Sequence, residues 1–147
     1  MKLDLPYGAF SIDSFHSEKY VLIADGVGIT PICCMLRAMH SRPSPSAVTL
    51  LYLVHHETDI LFRRDLEMWF AEVPGWELVF VVTSQPEWRG EKGRLTPDKL
   101  EGYCGGDLEG TFFLCSPLAM IWSIRRHLRR SGVPRRRIRQ EQFVFLT

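Results

Sequence analysis

No stretch of this chain approaches the ~20 consecutive apolar residues of a membrane-spanning helix, and the opening Met-Lys-Leu-Asp-Leu-Pro lacks the apolar core of a secretory signal. Cysteine is sparse and badly spaced for a framework. Cys33, Cys34, Cys104 and Cys115 form no C-x-x-C pair, which argues against a zinc knuckle. The adjacent Cys33-Cys34 falls inside a helical pattern and is poorly placed for a disulfide. Free thiols in a reducing, cytoplasmic setting are the simplest reading, with no metal site. A dominant charge is missing too. The 18 Lys and Arg against 17 Asp and Glu leave a net charge of +1, so no global field points to nucleic acid or an anionic membrane. Internal repeats and low-complexity tracts are absent.

What remains is an ordinary globular composition, 46% hydrophobic and 24% charged, in 147 residues, enough for one domain with a real core. Apolar runs at Tyr20–Ala24 and Ala47–Val54 read as buried strands, Trp76–Thr83 and Thr111–Cys115 as the third and fourth strands, and 140–146 as a last strand. Helical spacing occupies 29–39, 60–73 and 117–130, with a short helix capped by Thr96-Pro97-Asp98. The stretch 84–96 reads mostly as loop. This alternation predicts an α/β fold: a three-layer, five-stranded parallel sheet with helices on both faces. Ligands of such sheets lie at the C-terminal strand ends, here Asp25–Pro31, Val54–Thr58, Thr83–Gln85 and Cys115–Leu118.

The first of these ends is the centre of the chain. Tyr20–Ala24 runs into Asp25-Gly26-Val27-Gly28 and then an Ile29-Thr30-Pro31 helix opening. A strand, a glycine turn and a helix N-terminus in succession aim backbone N–H groups and a positive dipole end at one spot, which suits a phosphate. Gly26 and Gly28 permit close approach, Thr30 adds a hydroxyl, and Pro31 presets the first turn. On spacing alone, a plain strand–helix turn is an equal competitor.

Further motifs follow in order. Met35-Leu36-Arg37 succeeds the glycine turn, and Ile60-Leu61-Phe62-Arg63 with Asp65-Leu66 opens the next helix. Cys115-Ser116-Pro117-Leu118-Ala119-Met120 follows the fourth strand. Gly132-Val133-Pro134, Ile138 and Glu141-x-Phe143 close the chain, and Pro6-Tyr7-Gly8-Ala9-Phe10 opens it. Together they resemble the NAD(P)-binding domain of the ferredoxin–NADP reductase superfamily. The likeness is greatest to the branch of ferric reductases and NADPH-oxidase-like membrane proteins, and to the reductase components of oxygenases. The resemblance implies a ferredoxin-reductase-type nucleotide domain at 16–147, with 1–15 as the tail of a flavin-binding barrel missing from this chain. It implies hydride transfer from NADP(H) or NAD(H) to a flavin, FAD, in that absent domain, then electrons to haem, an iron–sulfur centre or ferric iron. Such a fragment is not expected to turn over alone. It would work in the cytoplasm or at the cytoplasmic face of a membrane protein.

The resemblance also assigns roles. Gly26, Val27, Gly28, Ile29, Thr30 and Pro31 would hold the pyrophosphate, and Ser116, Pro117, Leu118 and Met120 the nicotinamide. Cys115, Glu141 and Phe143 would lie at the flavin–nicotinamide junction, Cys115 aligning the hydride and not acting as a nucleophile. Phe143 and Phe145 share one face of the last strand, where core is the default role. His55 and His56 stand where the adenosine ribose would be read. Arg63 and Arg64 could meet a 2′-phosphate, an argument for NADPH that Glu57 and Asp59 weaken. Three letters depart from the family pattern: Leu5, Asp25 and Ser116 stand where it has glycine. Asp25 is the most serious, because a carboxylate beside a pyrophosphate repels it unless it points away or caps the next helix. Asp25 and Ser116 together favour the alternative, a degenerate nucleotide domain kept for docking. Lastly, Arg125, Arg126, Arg129, Arg130, Arg135, Arg136, Arg137 and Arg139 form a basic run. No aromatic residue interleaves them and Ile121, Ile124 and Leu128 imply a packed helix, which argues against nucleic acid and for a solvated face or a docking patch.

Overall fold

The computed structural model describes residues 18–42, 46–106 and 108–142. Its strands are β1 (Lys19–Asp25), β2 (Ala47–Val54), β3 (Trp76–Val82), β4 (Glu91–Lys92), β5 (Thr111–Ser116) and β6 (Ile138–Gln142). Its helices are α1 (Ile29–Ser41), α2 (Arg63–Glu72), α3 (Pro97–Tyr103) and α4 (Leu118–Arg130). The strands form one all-parallel sheet in the order β4-β3-β2-β1-β5-β6.

Period-two alternation sorts each strand between two cores. Tyr20, Leu22, Ala24, Leu50, Tyr52, Phe113 and Cys115 face α1 and α2, meeting Ile32, Leu36, Leu66 and Trp69. Val21, Ile23, Leu51, Leu53, Phe112 and Leu114 face α3 and α4, meeting Leu100, Ile121, Ile124 and Leu128. Val21, Leu22 and Ile23 are wholly buried, each contributing about 1.5–3 kcal/mol relative to exposure. The expected three-layer α/β architecture therefore stands.

The strand count is six and not five. Glu91–Lys92 pairs with Val81–Val82 at the edge of the sheet, inside the stretch expected to be mostly loop. Two charged residues carry no apolar period, so nothing local announces this strand. α2 likewise starts three residues later than its apolar spacing suggests. Phe62 adopts a left-handed φ of 57° just before it, and Leu61 and Phe62 are exposed. The Leu61 N–H instead donates to the buried Tyr52 hydroxyl at 3.0 Å, which holds the 57–62 connection over the end of β2. Among the described residues, no helix is long and apolar enough to cross a membrane.

Candidate functional site

The strand order carries a topological switch. The chain leaves β1 toward β2, β3 and β4 on one side, then returns to place β5 and β6 on the other. The connections leaving the C-terminal ends of β1 and β5 thus diverge, which makes the crevice where ligands of open α/β sheets usually lie. Register puts Ala24 opposite Cys115 and Cys115 opposite Glu141. The two motifs expected to share a nucleotide therefore meet across neighbouring strands.

Two helices begin at this crevice, and neither is closed by a side chain. Gly26–Gly28 is a single 3₁₀ turn, and Gly26 takes φ 59°, open to a glycine at no cost. A Cβ built on Gly26 would meet nothing within 4 Å, so its conformation, not crowding, is what calls for glycine there. α1 follows from a Gly28 cap, with no side-chain cap and no acidic residue in its first turn. α4 follows from a Pro117 cap, again with neither. Val27, Thr30 and Leu118 are exposed at these termini. Two helix dipole ends, the first continuous with the Gly26–Gly28 turn, face the place where an anion would sit.

Ser116 is wholly buried at the end of β5, and its hydroxyl has no hydrogen-bond partner among the described residues. An orphaned buried hydroxyl is costly, and it is the observation that fits a hydrogen-bonding ligand at this end. Its neighbour Cys115 behaves otherwise. Burial, and secondarily the charge of Glu141, push its thiol up to about 12, so it stays protonated and apolar in character. Glu141 is 9% exposed, and burial raises its carboxyl above the usual range. None of the four cysteines is in a disulfide. Phe143 and Phe145, like the Pro6–Phe10 motif, lie outside the described residues.

Asp25 occupies the lip of the crevice. Burial raises its carboxyl, partly offset by the charge of His55. It caps neither the 3₁₀ turn nor α1, so capping does not account for a carboxylate in this position. At the end of β2, His55 Nδ1 lies 3.1 Å from Thr83 Oγ1, and the His56 N–H donates to Asp59 Oδ2 at 3.1 Å. The Glu57 N–H donates to Gln85 Oε1 at 2.8 Å, tying the β2 and β3 ends together.

Arg63 is not a spare cation. It donates to Glu57 at 2.9 Å and to Glu67 at 2.8 Å, and its guanidinium lies over the rings of Phe80 and Trp88. The structure thus brings Gly26–Pro31, Ser116–Met120, Cys115 and Glu141 around one crevice, sets His55 and His56 beside it, and commits Arg63 elsewhere. Sequence reading missed the acidic clamp on Arg63. The Arg63–Glu67 spacing of four is a helical pairing signal, but the Glu57 contact depends on the 57–62 connection.

Comparison with known proteins agrees with this geometry. A family model, the oxidoreductase NAD-binding domain, matches residues 22–126. NADH-cytochrome b5 reductase 1 of Meyerozyma guilliermondii is 31% identical over 90% of this chain and 48% of its own length. The glycine betaine monooxygenase reductase subunit of Chromohalobacter salexigens is 26% identical over 94% of the chain and 39% of its own length. The cytochrome b5 reductase domain of Ulva prolifera nitrate reductase superposes with a TM-score of 0.71 at 25% identity, over 84% of this chain and 48% of that one. The chain thus spans less than half of each of these relatives.

Proposed function

Because the chain belongs to the oxidoreductase NAD-binding domain family, within the ferredoxin–NADP reductase superfamily, we propose that it is the nucleotide half of a flavin-dependent reductase. Residues 1–15 then end a flavin-binding barrel and 16–147 form the nucleotide domain. In that role this chain would present a dihydronicotinamide to a flavin held outside it, with a haem or metal centre as the final acceptor. When bound, the flavin would take the two electrons of a hydride and release them one at a time.

This chain's own residues bind and align. Gly26–Pro31 would hold the pyrophosphate, with the α1 and α4 termini facing its charge. The Ser116 hydroxyl and the Leu118–Met120 turn receive the nicotinamide end. The neutral Cys115 thiol and the wall from Ala24 to Glu141 give that ring a dry, shaped surface. His55 and His56 flank the adenosine end. The observation that carries this reading is the pair of uncapped helix termini beside the partnerless Ser116 hydroxyl at the β1/β5 switch.

The clamp on Arg63 weighs the reading toward NADH. A 2′-phosphate would have to compete with Glu57 and Glu67 for the same guanidinium, within a segment that also holds Asp59. Titration of the chain with NADH and NADPH, followed by calorimetry, tests both levels. Saturable binding with NADH the tighter is expected. Absence of binding by either nucleotide at millimolar concentration would sink the reductase reading. The rival, a degenerate docking module, is favoured by Asp25 and makes that negative result its own prediction.

A further inference from the structure

The net charge of +1 conceals a strong separation of charge. Between residues 118 and 140 the chain has eight arginines and no Asp or Glu, which leaves ten Lys and Arg against 17 Asp and Glu elsewhere, a net of −7. The fold gathers the basic part on one side. α4 starts at the crevice and runs away from it, and the Arg135–Arg137 turn delivers the chain to Ile138, which pairs with Phe112 near the start of β5. Arg129, Arg130 and Arg135–Arg137 therefore lie at the N-terminal edge of the sheet, opposite the nucleotide crevice. They cannot serve the pyrophosphate.

Several of these arginines have structural work. Arg125 donates to Gln140, Arg129 to the Val133 carbonyl, and Arg137 to the carbonyls of Leu108 and Gly110. Arg126, Arg130, Arg135 and Arg136 are exposed and engage no partner among the described residues. Helical spacing places Leu118, Trp122, Arg126 and Arg129 along one outward stripe of α4, opposite the buried Ile121, Ile124 and Leu128. Trp122 is 68% exposed, the most exposed large hydrophobic residue described. The basic run, which no aromatic residue interrupts, thus has an indole one turn ahead of it on the same face.

We propose that the α4 face and the Arg135–Arg137 turn form a peripheral docking surface for a bilayer rich in anionic lipid. The chemistry is complementary on both counts: guanidiniums take headgroup phosphates, and an exposed indole seats at the headgroup level. The shape is a convex helical ridge, which a fluid layer can close around without a preformed groove. The charge separation selects a planar anionic surface over an isolated acidic group, since such a surface attracts the arginine pole and repels the acidic remainder. The molecule is thereby oriented with its acidic remainder turned to water. This inference is independent of the nucleotide reading.

Sedimentation of the 147-residue chain with phosphatidylcholine vesicles, with and without about one-quarter phosphatidylserine, tests it. Binding is expected only with phosphatidylserine, fading as added salt shortens the screening length. Each arginine near such a surface is worth about fivefold in partition, so the quadruple variant R126E/R130E/R135E/R136E should bind at least about a hundredfold more weakly. Tryptophan emission should shift to the blue on vesicle addition, and Trp122→Phe should abolish the shift, the other three tryptophans being at most partly exposed. If the quadruple variant fails to fold, the salt series and Trp122→Phe decide alone. Equal binding to neutral vesicles, or an emission unchanged by anionic ones, would overturn the proposal. Retention on polyglutamate without vesicle binding would also overturn it and assign the face to an acidic protein.

Discussion

Asp25 is the residue on which the site turns. Its raised carboxyl means that folding favours the protonated form. Its stability contribution is therefore complete below the unfolded value of about 3.9 and is lost as pH rises through the folded value. The same shift governs ligand charge. Nucleotide affinity should increase as pH falls toward that folded value, because protonation removes a negative charge from the pyrophosphate's surroundings. Asp25→Asn should bind more tightly at neutral pH, by about 1 kcal/mol for an anion ~4 Å away in a water-like medium, roughly fivefold, and lose the pH dependence. Titrations of both forms across a pH series check this, and identical profiles would place the carboxylate away from the anion. The departure of Asp25 from a glycine pattern was visible in the letters. The half-burial and the nearby His55 charge were not, because both arise from strands brought together from distant parts of the chain. Arg63 teaches the same lesson with the opposite outcome. By position it looked available for a phosphate, and its neighbours Glu57 and Glu67 occupy it.

At the scale of elements, the strand–turn–helix units were legible because burial on both faces leaves an uninterrupted apolar run, as in Tyr20–Ala24 and Ala47–Val54. Helix ends were legible where chemistry is local. Thr96 caps α3 through the Lys99 N–H as its sequence suggested, and Ser131-Gly132 ends α4. There Gly132 takes φ 97°, its N–H bonds to the Arg129 carbonyl, and the Val133 N–H reaches back to Leu128 at 3.0 Å. This is a left-handed helix stop with Val133 packed into the core behind it. Gly132→Ala should cost about 1–2 kcal/mol in thermal or urea unfolding, since a Cβ is disfavoured at that φ, while nucleotide affinity stays unchanged. A loss of affinity of the same size would mean that α4 transmits its lower end to its upper one. The start of α2 was misread because Ile60, Leu61 and Phe62 are apolar at helical spacing yet are held out of the helix by Tyr52, a tertiary contact that no local period encodes.

For the whole molecule, the parallel sheet follows from helices joining successive strands, and both candidate motifs were correctly expected at strand ends. The sixth strand was not, and it has a role out of proportion to its length. Glu91 receives hydrogen bonds from the Tyr103 hydroxyl and the Lys99 ammonium, and Lys99 also donates to the Lys92 carbonyl. β4 is thus tied to α3 while it pairs with β3, whose Leu78–Val82 segment is rich in β-branched and aromatic residues. Untethering β4 with the pair Lys99→Ala and Tyr103→Phe should leave the near-native fold but uncover a row of unpaired backbone groups on an adhesive strand. Light scattering during slow heating is then expected to rise earlier in the double variant, and more so at higher protein concentration. Shelf life in a crowded solution, a matter of which molecule meets which edge, would thus depend on two charged residues at the rim of the sheet.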